Sequence, residues 1–234
     1  TPCGTLFPYT TLFRSVRAGA DDDMTWLTLV LLTALFIGLH AVPFAPAVRG
    51  RLVAAVGGEK PYMGLYAVAS LVGLVGAFLA AARAPPVVLW IAGDGLRWAA
   101  LALTLPAFVL LASAYVGSGG QRLARHPMLA GIGLWALAHT LSTGDLGHVL
   151  LFAALALYAP AAMVASDRRD AARDPDGFAR VAGSTSLVPF ATLLRTGAAR
   201  PSWKGPLAGV ATWLVFLALH AWLFGVSPLP TALA

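Results

Sequence analysis

The sequence predicts an all-α, polytopic membrane helix bundle of about six transmembrane helices, and three observations carry that prediction. Apolar and aromatic residues make up 59% of the 234-residue chain and charged residues only 11%, against roughly 25% charge in an ordinary soluble domain. The apolar residues gather into six runs of roughly the length needed to cross about 30 Å of hydrocarbon at about 1.5 Å per residue. The Lys and Arg side chains fall in the segments between those runs, so the formal charge of +6 marks topology rather than nucleic-acid binding. The same figures set aside a disordered chain, a disulfide scaffold and a cytosolic enzyme.

Residues 1–23, TPCGTLFPYTTLFRSVRAGADDD, have neither helical nor strand periodicity. The string TLFPYTTLFRS resembles a translated adapter or cloning scar, so this stretch is expected to be a non-native leader with the natural start at Met24. The only cysteine, Cys3, lies within it, leaving no thiol for a disulfide, a thiolate ligand or a nucleophile in the rest. Spans are expected at 25–44, 62–82, 97–116, 128–142, 146–165 and 207–225. In the second, Ala69, Gly73 and Ala77 recur every four residues, a spacing that lets helices approach closely. The fourth is the shortest and starts just after Pro127, a favourable first-turn residue because it has no N–H to leave unpaired. The polar stretch 166–206 alternates in charge through Asp167, Arg168, Arg169, Asp170, Arg173, Asp174, Asp176 and Arg180. It is read as a short charged helix followed by an irregular or interfacial connector.

Orientation follows from the cations. Arg49, Arg51 and Lys60 follow span one, Arg122 and Arg125 follow span three, and Arg168, Arg169, Arg173, Arg180, Arg195, Arg200 and Lys204 follow span five; only Arg83 and Arg97 lie on the opposite side. This asymmetry puts both termini outside and the basic loops in the cytoplasm.

Five histidines occur, and His40, His139 and His220 sit well within apolar spans, where polar side chains are costly and face a bundle interior or a site. No Asp, Glu, Lys or Arg lies deep in any span, which removes the usual footing of an ion-coupled transporter. Two imidazoles are too few for a closed zinc site. They can hydrogen-bond a neighbouring helix, or serve as axial ligands of a haem. His139 shares its face with Gly131, Ile132, Trp135 and Ala136; His40 with Thr33, Phe36 and Ile37; and His220 with Trp213, Phe216 and Phe224. His126 and His139 are about 220° apart around one helix and point to nearly opposite faces, while His148 lies at a loop edge. Depth favours neither partner for His139: it lies about 17 Å from the start of its span, similar to His220, whereas His40 lies near the cytoplasmic end.

The string Arg122 to Thr140, RLARHPMLAGIGLWALAHT, with GLH at Gly38 to His40, GLY at Gly64 to Tyr66 and GDL at Gly144 to Leu146, resembles the NnrU family of bacterial membrane proteins. The resemblance covers 24–194 as an NnrU-like transmembrane domain and leaves 195–234 as a basic connector with a C-terminal transmembrane helix. It implies an association with denitrification and nitric oxide metabolism. A related protein, 15-cis-zeta-carotene isomerase, is a haem b membrane enzyme. Carried over residue by residue, that relationship implies His40 and His139 as metal-ligating axial residues of haem b and His126 as a further functional histidine, with Arg122 and Arg125 available to pair with propionates. The isomerase has a cysteine three residues before its second ligand, where this chain has Ala136, so ligand exchange through a thiol is not available.

The RHP string also resembles membrane isoprenylcysteine methyltransferases, in which Arg125, His126, Pro127 and Gly131 would hold S-adenosylmethionine; Gly177 to Pro189 lacks their paired glutamates. Three functions therefore stand as expectations: a haem-binding protein of nitrogen-oxide metabolism, an isomerase or methyltransferase acting on a lipophilic small molecule, and a non-enzymatic membrane factor. Membrane lipid is the expected surrounding partner in each.

Overall fold

The computed structural model describes residues 20–194 and 200–230, and these contain helices and no strand. The helices are α1 (Ala20–Ala41), α2 (Pro46–Ala55), α3 (Glu59–Arg83), α4 (Asp94–Ser113), α5 (Pro127–Thr143), α6 (Leu146–Arg173), α7 (Pro175–Ser184) and α8 (Lys204–Phe224). The expected leader falls mostly outside the described residues, as do Cys3 and Arg195; its last residues, from Ala20, belong to α1.

Five segments are long and apolar enough to cross a membrane: Asp22–Phe44, α3, α4, α6 and α8. The expected fourth span is α5, the shortest of the bundle's long helices at 17 residues, about 26 Å. Both of its ends are set locally. Pro127 occupies the first turn, and Gly144 closes the helix at φ 65°, a left-handed conformation that glycine adopts without a Cβ penalty. Asp145 then caps α6 by accepting from the His148 N–H.

The chain across this turn is stitched to the α3–α4 loop. Leu89 N–H donates to the Gly144 carbonyl at 2.8 Å, Leu146 N–H to Val87, and the Trp90 indole to Leu141. A Cβ on Gly144 would overlap the Trp90 carbonyl oxygen. Gly144→Ala is therefore expected to cost about 3 kcal/mol, read as a lower thermal midpoint in detergent; an unchanged midpoint would contradict the turn.

The expected short charged helix, α7, starts later than the end of the apolar run: α6 runs on to Arg173, where Asp174 and Pro175 end it and start α7, with the Asp174 carboxylate accepting from Gly177 N–H. Pro175 cannot continue α6 but suits the first turn of α7. Pro106 in α4 and Pro160 in α6 lie inside spans, a position that membrane helices tolerate.

Packing orders the long helices. α1 lies on α3, both touch α6, α6 lies on α5, α5 on α4, and α4 on α8. One core joins Leu29, Ala77, Ala80, Ala81, Ala136, Leu151 and Leu155; another joins Leu110, Leu123, Ala124, Ala130 and Met163. Small residues set the approach. A Cβ on Gly131 would lie 2.9 Å from the Ala107 carbonyl oxygen of α4, and one on Gly147 would lie 2.9 Å from that of Ala81 in α3. The outward faces carry exposed Leu31, Leu71, Leu157 and Trp222, a surface suited to lipid.

Candidate functional site

The helix directions alternate, so the bundle has two ends. α1 begins and α8 ends at one, here the terminal end; α7 lies at the other, the Arg-rich end. Each end gathers a different set of histidines.

At the terminal end, His139 stands in the last turns of α5, and its Nδ1 donates to the Trp135 carbonyl at 2.8 Å. His220 stands in the last turns of α8. Gly225 reverses the chain at φ 73°, and the His220 Nδ1 donates to the returning Val226 carbonyl at 2.8 Å. A carbonyl only accepts, so in each ring Nδ1 carries the proton and Nε2 keeps its lone pair. The two ring centres are 6.5 Å apart with planes inclined at 28°. Trp135 and Phe152 lie against His139 at 4.6 and 4.8 Å, and Phe224 against His220 at 4.9 Å. His148 stacks on Phe152 at 6.4 Å and is held through its Nδ1 by the Asp145 carboxylate at 2.5 Å.

His40 belongs to another cluster. Its Nδ1 donates to the Phe36 carbonyl at 2.8 Å, its ring lies 4.2 Å from Phe36 and 5.5 Å from Tyr66, and its own carbonyl accepts from the Tyr158 hydroxyl. The depth of this cluster follows from the core. Leu29 shares a core with Ala136, one turn before His139, and His40 lies eleven residues farther along α1, about 16 Å. The structure thus brings His139 to His220 and leaves His40 toward the other end.

At the Arg-rich end, the RHP segment is locked. Arg125 pairs with Asp167, donates through Nε to the Thr185 hydroxyl at 3.1 Å, and lies over the Phe178 ring at 5.5 Å. Its backbone N–H donates to Ser186 at 2.7 Å. His126 Nε2 donates to the other Asp167 oxygen at 2.8 Å. All three side chains are mostly buried. Arg122 is exposed and donates to the Arg200 carbonyl at 2.8 Å.

Beside this network lies a cavity of about 330 Å³ lined from the segment before α5, the end of α6 and α7, with Arg125, His126, Asp167, Asp170, Asp174 and Phe178 among its walls. Arg125 and Arg122 are thus engaged by protein groups at the end away from His139, and Gly131 faces α4 rather than the cavity. Sequence reasoning missed Asp167 as the group that holds RHP together. Its one signal is that it is the first carboxylate after the apolar run of α6.

The chain was compared with known proteins on this footing. A family model described as NnrU protein matches residues 28–228, which takes in α8 and His220. No curated protein and no solved structure matches the chain.

Proposed function

The chain belongs to the NnrU family, and from that membership we propose that it is a multi-pass protein of nitrogen-oxide metabolism, seated in the bacterial inner membrane, that binds haem b between His139 and His220. The observation that carries this reading is the His139–His220 pair: ring centres 6.5 Å apart with both Nδ1 atoms tied to backbone carbonyls. Two imidazoles sharing one metal at about 2 Å per bond have ring centres about 6 Å apart. A hydrogen bond from Nδ1 to a carbonyl is also the usual way a protein orients a ligating histidine.

Haem held by two imidazoles supplies a one-electron redox centre. The chain contributes the rest. Trp135 and Phe152 shield His139 from water, and the Gly225 turn fixes His220. Arg97, tethered to the tail through the Leu229 carbonyl at 3.1 Å, is a cation at the same end for a propionate. Ala136 is fully buried in the α1–α3–α6 core, so the position that holds a cysteine in the related isomerase serves packing in this chain.

The test is the absorption spectrum, oxidised and reduced, of the detergent-purified full chain expressed with a haem precursor. A Soret band is expected, lost in His139→Ala and in His220→Ala and retained in His40→Ala. A wild-type protein without the band, or one whose band survives His139→Ala, would overturn the reading.

A further inference from the structure

We propose that the cavity at the Arg-rich end binds a zwitterionic amine–phosphate group of the phosphoethanolamine type, seating its primary ammonium against Asp170 and Asp174 and its phosphate at Arg173. The argument starts from which lining charges are already spent. Arg125 and Asp167 neutralise each other, and both Asp167 oxygens are taken, one by Arg125 and one by His126. These residues form a rigid floor. The other charged groups on the cavity wall are Asp170, paired with its exposed chain neighbour Arg169; Asp174, whose Oδ1 caps α7; and Arg173.

The lining thus has three carboxylates against two guanidinium groups, and among the described residues Arg173 has no ion-pair partner. Its surroundings have the opposite sign. Arg122, Arg168, Arg169, Arg180, Arg200 and Lys204 all belong to this end. An acidic recess inside a basic face selects a ligand with both signs, its cation going in and its anion staying near the rim. Charge-assisted N–H donation to carboxylates favours a primary ammonium, with three donors, over a trimethylammonium, with none. The aromatic alternative for a methylated cation is weakened because Arg125 already covers Phe178.

Size and place agree with this occupant. About 330 Å³ falls in the range of about 300–1,000 Å³ typical of small-molecule sites. The cavity opens where the apolar run of α6 gives way to charge. That is the level of a lipid headgroup.

The test is calorimetric titration of the detergent-purified full chain with dihexanoylphosphatidylethanolamine, dihexanoylphosphatidylcholine and free phosphoethanolamine. The ethanolamine lipid is expected to bind about tenfold more tightly than the choline lipid. Asp170→Asn is expected to weaken it about tenfold. Asp174→Ser is expected to do the same while keeping a capping oxygen for α7, so that loss of charge is separated from loss of the helix. Free phosphoethanolamine binding as tightly as the lipid would identify a soluble source for the group, and weaker binding would identify the bilayer. Equal affinity for the two lipids, no binding of either ethanolamine compound, or affinities unmoved by both substitutions would overturn the proposal.

Discussion

Asp167→Ala is expected to lower the unfolding free energy by about 3–5 kcal/mol, because it leaves Arg125 buried without its counter-charge and His126 without its acceptor. Side-chain exposures of 13% for Arg125 and 14% for Asp167 decide the size of the effect, since an exposed pair is worth about 1 kcal/mol or less. The network also has a mechanical role. It joins the start of α5 to α6, and through Thr185, Ala182 and Ser186 it joins both to the segment at the end of α7. Losing it should free α7, so trypsin should cut after Arg180 faster in Asp167→Ala than in the parent. Replacing the pair together, Arg125→Met with Asp167→Leu, should recover much of the loss, because no uncompensated charge is then buried. Thermal unfolding in detergent checks all three, with Asp176→Ala, at an exposed position, as the control expected to change little. A midpoint for Asp167→Ala matching the control would remove the argument.

Gly209→Leu is the second large effect. A Cβ at Gly209 would sit 2.5 Å from Val109 Cα and 2.7 Å from the Phe108 carbonyl oxygen, and one at Gly205 would sit 2.8 Å from both Ser113 Cα and the Val116 carbonyl oxygen. These neighbours are backbone atoms of α4 and of the residues just after it, which have no rotamer to yield, so the helices must separate. A loss of about 3 kcal/mol is expected. Separation also draws His220 away from His139, because α8 is held in the bundle through α4, the Trp213 indole bonding the Thr104 hydroxyl at 3.0 Å and Phe216 packing on Phe108. Gly209→Leu should therefore remove the Soret band as well as lower the midpoint. Gly64, with no atom within 4 Å of a built Cβ, supplies the contrast. Gly64→Ala should leave the spectrum intact and raise helix stability by up to about 1 kcal/mol. A Gly209→Leu protein with the parent's midpoint and spectrum would show that α8 does not depend on this contact.

The legible and illegible parts of the chain divide at particular residues. The long apolar helices could be read because hydrocarbon selects segments by composition and length, and Pro127, Gly144 and Pro175 announce their boundaries through local backbone chemistry. The continuation of α6 through Asp167 to Arg173 was hidden, because the charges that suggested a separate short helix are also compatible with a span that continues out of the membrane. α2 was hidden because Pro46–Ala55 is short and has no clear apolar face.

By itself the sequence determined that this is a helical membrane protein with three histidines at costly positions, and it carried the RHP motif that resembles the family. Only the tertiary structure decided that His139 approaches His220 while His40 lies toward the other end, and that Arg125 pairs with Asp167. The physical reason is that composition and spacing determine a helix's length and which residues share its face. The neighbour that face meets depends on helix order, rotation and depth, which are settled by Gly131, Gly147, Gly205 and Gly209 at the contacts between helices.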